Sequence, residues 1–193
     1  MRPLKVTFFQ GAVVSAAVTH SVDKMPFVFR EARPEDLETV GELLTALGYD
    51  VPLERLYPVY LRLLEDSAYR CLLAVSNPEG RVIGMITVRR LPCLRLAGEQ
   101  VTIEELVVRP EWRGRGVGRA LLAHAVAYAQ SCQAVRVEVL TSEERESTQR
   151  GFYEKAGFRH ARSRVYRIDG SAGRAPCRRV GPCASPSSPE EVP

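Results

Sequence analysis

Glu105-Leu-Val-Val-Arg-Pro-Glu-Trp-Arg-Gly-Arg-Gly-Val-Gly-Arg-Ala-Leu-Leu122 runs an apolar strand into a loop of glycines and arginines and out into a helix. Gly114, Gly116 and Gly118 let backbone N–H groups approach an anion closely, and allow positive φ without a Cβ penalty. The first N–H groups of the helix have no internal partners and lie at the positive end of its dipole. Phosphate oxygens satisfy both conditions, and Arg113, Arg115 and Arg119 add formal charge. Other phosphate-binding patterns do not fit. A dinucleotide fingerprint would need glycine where Leu121 stands, and the Gly-Lys-Ser/Thr of a nucleotide-triphosphate loop is absent.

The elements around this stretch read plainly. Phe27–Ala32 has the texture of a strand. Arg33-Pro34-Glu35-Asp36 then suits a helix's first turn, and Leu37, Val40, Leu43, Leu44 and Leu47 recur at helical spacing up to a terminal Gly48. A second helix starts near Pro52, with Pro58 predicting a kink or break. Tyr69–Ser76 and Arg81–Leu91 read as strands joined by a turn at Asn77-Pro78-Glu79-Gly80, and Val101–Val108 as the next strand. Beyond the loop, a helix spans roughly Gly116–Gln130, and Val135, Val137 and Val139 alternate with Arg136 and Glu138 in a strand. A short helix to about Lys155 and a last strand from Phe158 to Ile168 complete the order β-α-α-β-β-β-α-β-α-β.

Composition bounds the function. The 193 residues suit one domain with an ordinary core, 45% hydrophobic and 26% charged. A net charge of +4 is too mild to argue for nucleic acid or membrane, and aromatic residues are not interleaved with the basic ones as in single-strand binders. No apolar run approaches the ~18 residues that span a bilayer. The five cysteines, Cys71, Cys93, Cys132, Cys177 and Cys183, form no C-x-x-C pair and offer no metal-ligand spacing; their odd number suits a reducing, cytoplasmic setting. Residues 1–25 carry early basic residues and a small-residue apolar stretch like a targeting peptide, interrupted by Gln10 and by serines and threonines. They read as an N-terminal extension, with residues 26–168 the domain. Residues 169–193, rich in Gly, Pro, Ser and Arg, read as a disordered tail.

Two motifs in register carry a family resemblance. Arg113-x-x-Gly116-x-Gly118 resembles the Q/R-x-x-G-x-G/A loop of the GNAT N-acetyltransferases, and Leu106-Val107-Val108 resembles their cofactor-side strand. Gly151-Phe-Tyr-Glu-Lys-Ala-Gly-Phe158 resembles the later F-Y-x-x-x-G-F block, so that the likeness covers about Phe27 to Tyr166. It implies an α/β fold with a curved mixed sheet flanked by helices, in which two central strands, after the third helix position, splay apart around acetyl-CoA. Acetyl-CoA is the implied co-substrate. Leu106, Val107 and Val108 and the loop residues Arg113, Gly114, Arg115, Gly116, Val117, Gly118 and Arg119 are its implied contacts.

The chemistry asks for two more groups. An ammonium of pKa near ~10 must lose a proton before it can attack a thioester, and the departing thiolate gains from a proton donor. By resemblance Tyr153 is the acid. Glu104 and Glu105 are candidate bases, since a central strand rarely buries carboxylates without reason. Strand parity groups Glu104 with Leu106 and Val108, and Glu105 with Val101, Ile103 and Val107; a bulge would upset this. Related polyamine acetyltransferases use the first acid of such a pair, which selects Glu104. Glu146 and Gln149 depart from the family's usual Asn or Arg and Ala, and so keep open a non-catalytic acyl-CoA-binding sensor. The acceptor is expected to be a small-molecule amine ahead of a peptide amine, drawn by Asp50, Glu54, Glu104 and Glu105, and a homodimer follows by analogy.

Overall fold

The computed structural model describes residues 26–168. The readings of residues 1–25 and 169–193 lie outside the described residues. Five strands form one sheet in the order β1-β2-β3-β4-β5: β1 Phe27–Glu31, β2 Tyr69–Ser76, β3 Val82–Cys93, β4 Gly98–Val108 and β5 Arg136–Val139. The first four pair antiparallel, and β5 joins β4 in parallel. A parallel neighbour needs a crossover, supplied by helix α3, Val117–Ser131. Helices α1, Leu37–Leu47, and α2, Leu53–Glu65, cover the other face.

Each face has its own core. Leu121, Leu122 and Ala125 of α3 pack with Ile83, Ile86, Val101 and Ile103; on the other side Val40, Leu43 and Tyr60 meet Leu73, Met85 and Val107. Strand-to-helix placement is fixed early in the chain. Asp36, 6% exposed, accepts two hydrogen bonds from Arg30 of β1, at 2.6 and 2.7 Å, and one from Arg33 N–H at 2.8 Å. The Arg30 hydrogen bonds hold its carboxyl below the usual carboxylate range. Gly48 ends α1 in the left-handed conformation (φ +99°), as its position in the sequence implies.

Four expectations need correction. The helix α2 runs through Pro58 without the break that the proline allowed, and Tyr60 anchors it by donating to Arg33 C=O at 2.7 Å. The short helix before Lys155 is two single turns, α4 Glu146–Gln149 and α5 Phe152–Lys155, with Gly151 at φ +64° between them. The splayed strands are β4 before the third helix and β5 after it. Finally, residues 158–168 form no strand. Four arginines and His160 crowd that stretch, and Val165, Tyr166 and Ile168 are 61%, 87% and 96% exposed.

Two irregularities in β4 shape the site. Thr87 pairs with Glu105 and Val88 with Ile103, so Glu104 is an extra residue in a β-bulge. Parity therefore flips, and Leu106 and Val108 join Val101 and Ile103 against the α3 core, while Glu105 shares the other face with Val107. The β4–β5 pairing also stops at Ile103 and Val139, although β4 runs on to Val108. Some five residues, about 17 Å of strand, are left without a neighbour on that side.

Candidate active site

Where β5 leaves β4, a cleft of about 1030 Å³ opens. Arg109 N–H donates to Ile83 C=O at 2.9 Å, so in an antiparallel ladder alternate residues back along β4 turn their polar groups the same way. Leu106 and Val108 then point theirs away from β3, into the cleft. Val108 C=O already accepts from Arg113 Nε there, at 3.2 Å. This part of β4 offers an edge on which an extended amide chain can pair as a strand would.

The N-terminus of α3 closes one end. Gly116 caps it at φ +83°, and Gly114 stands at φ +74°. A Cβ at either would meet nothing within 4 Å, so there is room in front of the backbone. The helix's first internal bond is Ala120 N–H to Gly116 C=O, at 3.0 Å, which leaves the N–H groups ahead of it available to a phosphate. Arg113, Gly114, Gly116, Gly118 and Arg119 line this end with Leu106, Val107 and Val108. Arg115 and Val117 do not: Arg115 lies over the Trp112 ring at 5.1 Å, and Val117 is 1% exposed in the core.

The other end holds titratable groups. Glu104 projects from the bulge into the cleft, which Tyr153 lines as well. Burial pushes the Tyr153 hydroxyl upward, while its hydrogen bond with Thr141 and the charge of Arg145 pull it back. Arg145, from the loop before α4, reaches Leu47 and Tyr49 at the end of α1; both line the cleft with it, as does Arg167. Asp50 and Glu54, expected to draw the amine, do not line it, and neither do His124 and His160. Cys71 is 4% exposed and burial pushes its thiol up to about 12, which removes it as a nucleophile. Among the described residues no group of His, Cys, Asp and Glu could hold a metal.

Glu105 has a separate fate. It turns under the sheet, accepting from the Thr87 hydroxyl, while its own N–H donates to Thr87 Oγ1 at 3.0 Å. Burial raises its pKa above the usual glutamate value, with the neighbouring Glu104 charge adding to the rise. A raised folded-state pKa means stability that is complete below the ordinary value of about 4.3 and is lost as pH rises through the folded value. Glu105→Gln removes that loss. Urea midpoints between pH 4 and 8 are expected to shift in the variant's favour as pH rises; parallel midpoints for the two proteins would contradict the burial argument.

A phosphate-bearing acyl carrier suits one end of this cleft and a nucleophile the other, which is the division of labour of an acyltransferase. The chain belongs to the acetyltransferase (GNAT) family, whose sequence profile matches residues 37–158. It is an N-acetyltransferase. It is 37% identical over 152 residues to the glucosamine 6-phosphate N-acetyltransferase of Trypanosoma brucei brucei, covering 76% of this chain and 98% of that one. The aminoalkylphosphonate N-acetyltransferase of Salmonella typhimurium is 31% identical over 144 residues, covering 74% and 92%. Among solved structures, an acetyltransferase of Trypanosoma brucei superposes with a TM-score of 0.62 at 28% identity, covering 74% of this chain and 99% of that one.

Sequence reasoning missed Arg145, Thr141 and Trp112 at this site. Arg145 hides in Ser142-Glu143-Glu144-Arg145-Glu146, which reads as a solvated charged loop. Only the fold shows that it bridges to α1.

Proposed function

We propose that the enzyme moves the acetyl group of acetyl-CoA onto the primary amine of a small molecule, with Glu104 as the base and Tyr153 as the acid. One observation carries this reading: the bulge turns Glu104 out of β4 into the cleft that Tyr153 and the open edge of Leu106 and Val108 also line. The carrier supplies its acyl group as a thioester, whose C–S bond breaks as the amine nitrogen bonds to the carbonyl carbon. Leu106 and Val108 hold the amide-containing arm along the strand, and Val108 N–H is placed to polarise the thioester carbonyl. The α3 N-terminus with Arg113 and Arg119 takes the pyrophosphate. Glu104, exposed and reached by water, removes a proton from the incoming ammonium; Tyr153 donates its hydroxyl proton to the leaving sulfur and is reprotonated by the second proton that the nitrogen loses as the amide forms.

The small-molecule acceptor draws support from the relatives' names, which specify an amino sugar phosphate and an aminoalkylphosphonate. Cytoplasmic residence belongs to the same proposal and rests on the odd cysteine count. The test follows free thiol release from acetyl-CoA across a panel of small amines. Tyr153→Phe keeps the ring packed against Phe152 and Phe158 and removes only the hydroxyl, with its hydrogen bond to Thr141. Its kcat is expected to fall about 100-fold, with KM for acetyl-CoA little changed. A variant as fast as wild type would remove Tyr153 from the chemistry.

A further inference from the structure

Arg145 is half-buried beside α4, and its side chain is held at three points. Nη1 donates to Leu47 C=O at 2.9 Å, Nη2 donates to Tyr49 Oη at 3.4 Å, and the guanidinium lies over the Tyr49 ring at 5.7 Å. Both hydrogen-bond acceptors are neutral oxygens, so these bonds orient the fork without cancelling its charge. Among the described residues Arg145 takes part in no ion pair. A guanidinium carries five N–H donors, and more than half of them remain after these two bonds.

Its position is at the reacting end of the cleft. Arg145 lines the cleft with Glu104, and its charge acts on the Tyr153 hydroxyl. Lys155 and Arg167 line it as well, whereas the second carboxylate there, Glu146, is taken up by Arg150 at 2.5 Å. An incoming amine therefore faces one free carboxylate and a pre-oriented guanidinium under a basic rim. The complement of that pair is a molecule with an ammonium for Glu104 and an oxyanion for Arg145. Planar forks match phosphoryl oxygens two at a time, and the surplus of positive charge favours a dianion.

We propose that Arg145 binds a phosphate or phosphonate group carried by the amine acceptor. The proposal rests on the reading of this cleft as the site of amine acetylation, and deepens it by naming the acceptor's second functional group and the residue that reads it. Fastening the loop to α1 is the plainer role for Arg145, and a purely structural role would affect every acceptor alike.

Matched acceptors separate the two roles. Acetylation of 2-aminoethyl phosphate and of 2-aminoethanol is measured with wild type, Arg145→Gln and Arg145→Lys. Wild type is expected to favour the phosphate ester in kcat/KM by at least about 10-fold. Arg145→Gln should raise KM for the ester about 10-fold, whereas any change in kcat that follows from losing its charge beside Tyr153 should fall on both amines alike. The same variant should leave KM for the unphosphorylated amine and for acetyl-CoA as they are in wild type. Arg145→Lys, which keeps the charge and loses the fork, should fall between. Equal use of both amines by wild type, or an equal loss for both in Arg145→Gln, overturns the proposal. Calorimetry of the same two amines on CoA-saturated protein keeps it apart from the transfer reaction. Arg145-dependent binding of the ester without any turnover upholds the anion site and sinks the catalytic reading. Absence of ester binding in wild type overturns the anion site.

Discussion

Gly116→Glu is expected to abolish measurable acetyl-CoA binding in calorimetry, a loss of at least ~100-fold, while the protein stays folded. Two effects act at this position and they differ in size. Gly116 caps α3 at φ +83°, where a side chain costs roughly 1–2 kcal/mol of backbone strain. A carboxylate at the positive end of a helix returns about 0.3–1 kcal/mol. Stability thus falls by about 1 kcal/mol, a few degrees in Tm. Binding suffers far more. The open space before Gly116, where a Cβ meets nothing within 4 Å, is where the phosphates belong, and a carboxylate there opposes them at short range. Gly116→Ala separates the two effects, since it carries the strain without the charge, and should cost about 10-fold or less. If Gly116→Glu binds acetyl-CoA as wild type does, the helix N-terminus is not the pyrophosphate site.

The glycine-capped start of α3 was legible in the sequence because its cause is local. Glycine spacing, a helix start and a preceding strand sit within eighteen consecutive residues, Glu105–Leu122, and their geometry follows from backbone chemistry alone. The strands β2 to β4 were legible for a related reason: each buries side chains against a helix layer, so apolar patterning marks it. The misplaced features depend on partners distant in sequence. The bulge at Glu104 exists because of how β4 registers with Thr87 and Val88 of β3, and nothing between Val101 and Val108 announces it. Arg145 owes its place to Leu47 and Tyr49, almost a hundred residues earlier. The stretch from Phe158 to Ile168 failed in the opposite sense, for its Val165-Tyr-Arg-Ile168 ending has strand-forming residues but finds no apolar layer to cover them.

The bulge makes the choice of base a question that one pair of variants answers. Glu104→Gln is isosteric and sits at an exposed position, so it changes neither packing nor charge in the core. It removes the proton acceptor, and kcat at neutral pH is expected to fall about 100- to 10,000-fold. The deficit should depend on pH in a way that a structural defect would not. An amine of pKa near ~10 becomes increasingly deprotonated in solution as the pH approaches that value, and the base is then needed less. The ratio of wild-type to variant rates should therefore narrow to about 10-fold or less near pH ~9.5. Glu105→Gln gives the contrast, because Glu105 lies under the sheet against Thr87 and faces away from the cleft. Had β4 been a regular strand, Glu104 would still share a face with Leu106 and Val108, and Glu105 would lie with Ile103 on the α3 side. A regular strand would part the two acids as well; what the bulge changes is that Glu105 leaves the α3 face of Ile103 for the opposite face, against Thr87. A pH-independent loss in Glu104→Gln, or the larger loss in Glu105→Gln, would reverse that assignment and place the proton's exit on the other face of the sheet.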